Sequence, residues 1–253
     1  MRSLASVLLM LSVVACTTQQ TGPATREQAS LAAGANTGIA AYHLGNDALD
    51  RALAKIREAL EQDDQRVNTH LVAAEIRDRL ADPARAEHHY QRAIALSGGG
   101  GAALNNYAGF LCRAGQPNAA VEHWQRAAEQ RRYDGRAMAL SNAAQCLSRS
   151  TSAVAAPRAD RFWRRALRIQ PDYPPALRGL AQWSLARDQL DAANAWYSRY
   201  TAVVQEHPAG LWLGIRIARA GDQAARQSEL TARLRTRFPA SEYAARLTEE
   251  TGS

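Results

Sequence analysis

The sequence predicts an all-α protein: a superhelical solenoid of about six helix pairs. Three observations carry that reading. A small–large–small triplet of residues recurs with a 34-residue period. Alanine and leucine dominate while aromatic residues make up only 6% of the chain, a balance that favours helices. Glycines and prolines fall where the helices so defined must start and stop.

The triplets come first. Ala52, Ile56 and Ala59 are followed 34 residues later by Ala86, Tyr90 and Ala93, and after another 34 by Ala120, Trp124 and Ala127. The step then stretches by five, to Ala159, Trp163 and Ala166, and returns to 34 for Ala193, Tyr197 and Tyr200. Positions i, i+4 and i+7 share one helix face. The small residues let a neighbouring helix approach closely, and the large one fills the groove between the two. These positions define the second helix of each pair.

The first helices agree. Leu104-xx-Tyr107-Ala108-xx-Leu111, Leu177-xx-Leu180-Ala181 and Leu213-Gly214-xx-Ile217 each present an apolar stripe. Gly45, Gly115 and Gly221 lie where tight turns within a pair belong. Pro83, Pro117 and Pro157 stand at second-helix starts, where a missing N–H costs little, and Pro171 and Pro239 fall where helices should end. The pattern resembles the tetratricopeptide repeat, which implies a right-handed superhelical solenoid over residues 36–250. It would comprise six pairs to about residue 238, the last with a degenerate second helix, and a capping helix around residues 241–250. The five extra residues of the fourth pair fall mainly in an enlarged loop at 148–156.

The amino terminus reads differently. Arg2 and the apolar run Leu4–Val14 form a short basic start and a core too brief to span a bilayer, the pattern of a secretory signal. Val13-Val14-Ala15-Cys16 resembles a bacterial lipobox. Residues 1–15 are then a lipoprotein signal peptide, and Cys16 becomes an acylated first residue. Several acyl chains on one cysteine suffice for stable anchoring. Thr17 is not the aspartate that retains lipoproteins in an inner membrane, so the sorting rule implies the periplasmic face of the outer membrane. Residues 16–35 read as the acylated cysteine and a flexible tether.

Without Arg2, the mature chain carries 30 basic residues against 24 acidic ones, about +6. Lys55 is the only lysine. The charges are scattered along amphipathic helices with no dense run and no recognition motif, so the reading is solvated helix faces and no nucleic-acid partner. Cys112 and Cys146 both lie on apolar helical stretches. Two buried thiols are the expectation, with a disulfide as the alternative that an oxidising compartment permits.

No catalytic constellation is present in the sequence. His88-His89 has no HExxH context and no third ligand at a useful spacing, so both read as solvated and no metal site is expected. Gly98–Gly101 precedes no Lys-Ser/Thr and reads as a flexible turn rather than a phosphate loop. No serine sits in GxSxG. The expectation is a protein without enzymatic activity and without a cofactor beyond the covalent lipid on Cys16. Its working part is surface: the concave face lined by first helices, which binds extended peptides or partner helices. By repeat register that face presents Asn105, Gly109, Cys112 and Arg113, with Arg178 and Gln182 on one side and Glu75, Asp78 and Arg79 on the other. An asparagine there can pair both edges of a peptide bond.

Two stretches go beyond a generic repeat. LNNYAGFLCRAG (104–115), and LWLGIRIARAGD (211–222) with RLRTRFPASEYA (233–244), resemble segments of the PilF/PilW family of type IV pilus biogenesis lipoproteins. Ala108 replaces a usual glycine and Cys112 a usual aromatic. The resemblance runs from lipobox to capping end and implies a pilotin. Such a lipoprotein binds the secretin subunit, the outer-membrane pore through which the pilus passes, and promotes its localisation and multimerisation. The alternative within the same class is another envelope scaffold, an adaptor for outer-membrane protein assembly or for cell-wall enzymes.

Overall fold

The computed structural model of the chain describes residues 25–149 and 155–251. The predicted signal peptide, Cys16 and residues 17–24 of the predicted tether lie outside the described residues. Among the described residues there are thirteen α-helices and no strand, arranged as six consecutive antiparallel-type pairs and a final helix. The pairs are α1 (Arg26–Gly45) with α2 (Leu49–Gln62), α3 (Val67–Arg79) with α4 (Pro83–Leu96), and α5 (Gly101–Arg113) with α6 (Pro117–Glu129). They continue with α7 (Arg136–Ser148) and α8 (Ala155–Ile169), α9 (Pro174–Leu185) and α10 (Leu190–Val203), and α11 (Pro208–Ala220) and α12 (Ala224–Arg237). The closing helix is α13 (Glu242–Thr251). No described helix is long and apolar enough to cross a membrane.

The triplets build the core. No residue of the five triplets is more than 4% exposed. One apolar cluster runs without interruption from Ala74 on α3 to Ile217 on α11, with smaller clusters closing the two ends. Each pair covers the next, which is how a solenoid buries a core that no single pair could bury.

The turns within the pairs share one design. Asp47, Ala81, Gly115, Asp188 and Asp222 all have positive φ, between 52° and 76°. They sit 34 residues apart, or 73 where the stretched fourth pair intervenes. In each case the next residue donates its N–H five residues back, at 2.9–3.0 Å, as in Ala48 to His43 and Gln116 to Leu111. This is the closed turn that ends a helix through a left-handed residue. The sequence assigned the job to Gly45, Gly115 and Gly221. Only Gly115 does it. Gly45 is the last residue of α1 and Gly221 has φ −100°, while aspartates one or two residues later take the left-handed position. Aspartate tolerates that conformation better than most side chains.

Other boundaries also differ. Helix α1 starts ten residues before the expected edge of the solenoid, so residues 26–35 of the predicted tether are helical. Thr25 caps it: its hydroxyl accepts from the Gln28 N–H and the Gln28 side chain accepts from the Thr25 N–H. That reciprocal pair is a capping box. The stretch of the fourth pair is divided. The α6–α7 connection has two more residues than the α4–α5 connection, and the α7–α8 connection has three more than α5–α6. The glycine run is a structured turn rather than a loose one. Gly98 and Gly99 take positive φ, and the Gln130 side chain donates to the Gly99 carbonyl at 2.7 Å.

Candidate partner-binding face

The first helices α3, α5 and α9 carry the residues that the sequence assigned to partner binding, and the structure divides them into two groups. The amino-terminal group is locked in contacts between repeats. Arg113 on α5 donates to Asp78 on α3 at 2.6 and 3.0 Å and to Glu75 at 3.3 Å. Glu75 also accepts from the Tyr90 hydroxyl at 3.1 Å, and burial beside that carboxylate pushes the Tyr90 hydroxyl well above its usual range. Arg79 pairs with Asp47 and reaches the Leu44 carbonyl at 3.4 Å, tying α3 to the turn of the first pair. Asn105 spends its carbonyl oxygen internally, accepting from Trp124 Nε1 at 3.1 Å and from Asn142 Nδ2 at 3.2 Å. Its role is to satisfy a buried indole. Gly109 lies beside Arg113 and contributes a half-buried patch of backbone.

The carboxy-terminal group is open. Arg178 and Gln182 line a groove of about 500 Å³ between α7 and α9, with Asn142, Gln145, Arg149 and Arg187. The floor is aromatic. Trp163 from α8 lies so close to Gly179 that a Cβ there would stand 2.4 Å from the indole. Only glycine permits that approach. Trp163 meets Trp183 edge-on at 5.9 Å, and the Arg187 guanidinium lies 3.2 Å over the Trp183 ring. The sequence reading named Arg178 and Gln182 here but not Arg149, Trp183 or Arg187. The four-residue step from Trp183 to Arg187 was the available signal, since i and i+4 share a helix face.

The two cysteines correct an expectation. Cys112 and Cys146 are not free thiols but a disulfide joining α5 to α7, with Cα atoms 6.1 Å apart. Their separation of 34 residues equals the repeat period and carries them to neighbouring first helices. The histidines correct another. His88 is exposed, but His89 is half-buried and its Nδ1 lies 3.0 Å from Nδ1 of the buried His70. The Asp64 carbonyl accepts from His70 Nε2 at 2.8 Å, so with both rings neutral His70 Nδ1 accepts from His89 Nδ1–H. Burial, with the neighbouring His70, His88 and Arg77, lowers the His89 pKa to about 4, and burial also lowers that of His70. No group of three or more metal-ligating side chains occurs among the described residues.

The arrangement is a solenoid of packed helices, and comparison with known proteins agrees. The structure superposes on the crystal structure of PilW, a widely conserved type IV pilus biogenesis factor, with TM-score 0.72 and 27% identity. The match covers 85% of this chain and 97% of PilW. In sequence it is 22% identical over 193 residues to the type IV pilus assembly protein PilF of Pseudomonas aeruginosa, 76% of this chain and 75% of that one.

The chain is a PilF/PilW-like tetratricopeptide-repeat protein.

The Pseudomonas aeruginosa PilF structure matches with TM-score 0.68 and 20% identity over 89% of this chain and 99% of PilF, a likeness of fold. Yeast Tom70 shares that fold at TM-score 0.65 and 18% identity. No family model matches the chain. The PilF/PilW-like solenoid therefore rests on structural correspondence over 85% of this chain and 97% of PilW.

Proposed function

We propose that this chain is a lipoprotein of type IV pilus biogenesis, a pilotin. It binds the outer-membrane secretin subunit, concentrates it at the periplasmic face of the outer membrane and promotes its multimerisation. The observation that carries this reading is the likeness to PilW over nearly the whole of both chains, on a sequence that opens with the lipobox Val13-Val14-Ala15-Cys16. The Cys112–Cys146 disulfide supports an oxidising compartment outside the cytoplasm. The division of labour is physical. Acyl chains on Cys16 supply the address and confine the protein to two dimensions, which raises the effective concentration of anything the solenoid holds. The solenoid supplies the contact surface and needs no cofactor for that work.

Two experiments test this. Cys16→Ser should remain an unprocessed precursor that incorporates no labelled fatty acid; cleavage and labelling of that variant would remove the anchor from the account. Deleting the protein should abolish surface pili and leave the secretin monomeric or mislocated in fractionated membranes run on mild-detergent gels. Normal secretin multimers in the outer membrane of the deletion strain would overturn the pilotin reading in favour of a general envelope scaffold.

A further inference from the structure

The groove between α7 and α9 differs in charge from the α3–α5 part of the first-helix face. Its lining contains three arginines and no carboxylate. On α3 and α5, by contrast, Arg113 is neutralised by Asp78 and Glu75, and Arg79 by Asp47. Among the described residues, Arg149 and Arg187 have no carboxylate partner, and the contact of Arg178 is the Tyr200 hydroxyl. Cations near the carboxy-terminal ends of helices are favourable in themselves. That accounts for the placing of Arg149 at the end of α7 and Arg187 just beyond α9, but not for Arg178 in the first half of α9.

The groove is also prepared to hold something. Trp163 is fixed against Gly179, Trp183 against Trp163, and the Arg187 guanidinium lies over the Trp183 ring at 3.2 Å. A stacked guanidinium keeps its N–H edges free for oxygen acceptors. Between the charged ends, the exposed Gln145 and Gln182 make no side-chain hydrogen bond among the described residues. An amide with both edges free can pair with a peptide backbone.

The spacing selects the ligand. Arg178 and Arg187 are nine residues apart, seven of those steps within α9 and two in the turn that follows it, so roughly 10–13 Å separate them. An extended chain covers that distance in about four residues. One terminal carboxylate cannot meet both ends, whereas two acidic side chains four residues apart can. We propose that the α7–α9 groove binds an extended acidic segment of a partner protein. Arg149 and Arg187 hold one carboxylate, Arg178 holds a second about four residues away, and Gln145 and Gln182 pair with the backbone between. This rests on the reading of the chain as a partner-binding solenoid and adds the chemistry of the segment bound.

The test is fluorescence anisotropy of the purified full chain with a labelled heptapeptide, capped at both ends, with glutamate at its second and sixth positions. The control peptide has glutamine at both. The wild-type chain should bind the glutamate peptide at least tenfold more tightly than the glutamine peptide. Arg178→Glu with Arg187→Glu, and separately the milder Arg187→Gln, should weaken glutamate-peptide binding, the double change by at least tenfold, with helical circular dichroism unchanged. Arg161→Glu with Arg165→Glu removes equal charge from the separate arginine cluster on α8 and should leave binding within about twofold. The proposal is overturned if wild type does not bind or does not distinguish the two peptides, if the groove variants bind normally, or if the α8 variant loses as much as the groove variant. Co-purification of a secretin with the wild-type chain is scored independently. A secretin that is captured while both peptides fail sinks the groove assignment alone; peptide binding without secretin capture sinks the pilotin reading alone.

Discussion

Cys112 on α5 and Cys146 on α7 are covalently joined, so two adjacent first helices are tied at the middle of the solenoid. The bridge closes a loop that contains α6 and the stretched α6–α7 connection. Cross-linking a loop of 34 residues restricts the unfolded chain and is worth about 2–4 kcal/mol. Reduction, or Cys112→Ala with Cys146→Ala, should lower the thermal midpoint accordingly. Scanning calorimetry with and without reductant on the wild type and the double variant checks it. The double variant should no longer respond to reductant.

Ala81 occupies a left-handed turn position that three aspartates and one glycine fill in the other described pairs. Alanine in that conformation is strained by about 1 kcal/mol. Ala81→Gly should therefore stabilise the protein by about 0.5–1 kcal/mol, and Gly115→Ala should destabilise it by about 1 kcal/mol. Urea unfolding of both variants measures the pair, and opposite signs are the expected outcome.

Trp124 is 3% exposed in the central cluster, and its indole N–H is bonded to Asn105. Trp124→Ala should cost about 3–5 kcal/mol, and Asn105→Leu a smaller amount by leaving that N–H unpaired, about 1–3 kcal/mol. A loss below about 1 kcal/mol for Trp124→Ala would mean that the repeat register around α6 is mistaken.

The His70–His89 contact sets a pH dependence. Folding lowers the His89 pKa from its ordinary value to about 4, and that of His70 in the same direction. The unfolded chain then binds more protons than the folded one between about pH 6.5 and 4, so stability falls as pH drops through that window and levels below it. Asp64 and Asp82 favour protonation while Arg77, Arg92 and His88 oppose it. Because His89 is only half-buried, the loss is on the order of 1–2 kcal/mol. Unfolding curves at pH 7 and 4.5 should show it, and His89→Gln should abolish most of the difference.

The solenoid was legible because each pair solves the same burial problem, and the solution recurs in sequence as Ala52-Ile56-Ala59 and its four echoes. The left-handed turns were less so. The sequence reading looked for glycine, whereas Asp47, Asp188 and Asp222 tolerate the same backbone. Residues 26–35 read as tether because the stretch 17–35 is small and polar and holds Gly22-Pro23; the Thr25–Gln28 capping box is the signal that marks the helix instead. The partner face was read only in part. Repeat register placed Arg113 and Arg178 alike on the first helices, but no register tells that Asp78 and Glu75 neutralise Arg113 while Arg178 faces an open groove. That distinction depends on side chains 35 and 38 residues apart meeting across repeats.

The measurement that tests the central claim most directly is capture of the secretin. The full chain, affinity-tagged at its carboxy terminus and purified from detergent-solubilised outer membrane of a piliated strain, should bring down the type IV pilus secretin subunit, identified by mass spectrometry. Repeating the capture with a Cys16→Ala form exported by an ordinary signal peptide should still recover the secretin, since the proposed contact is with the solenoid. The secretin should then no longer be concentrated in the outer membrane. Recovery of no secretin by the wild-type chain, with other envelope proteins enriched instead, would contradict the account.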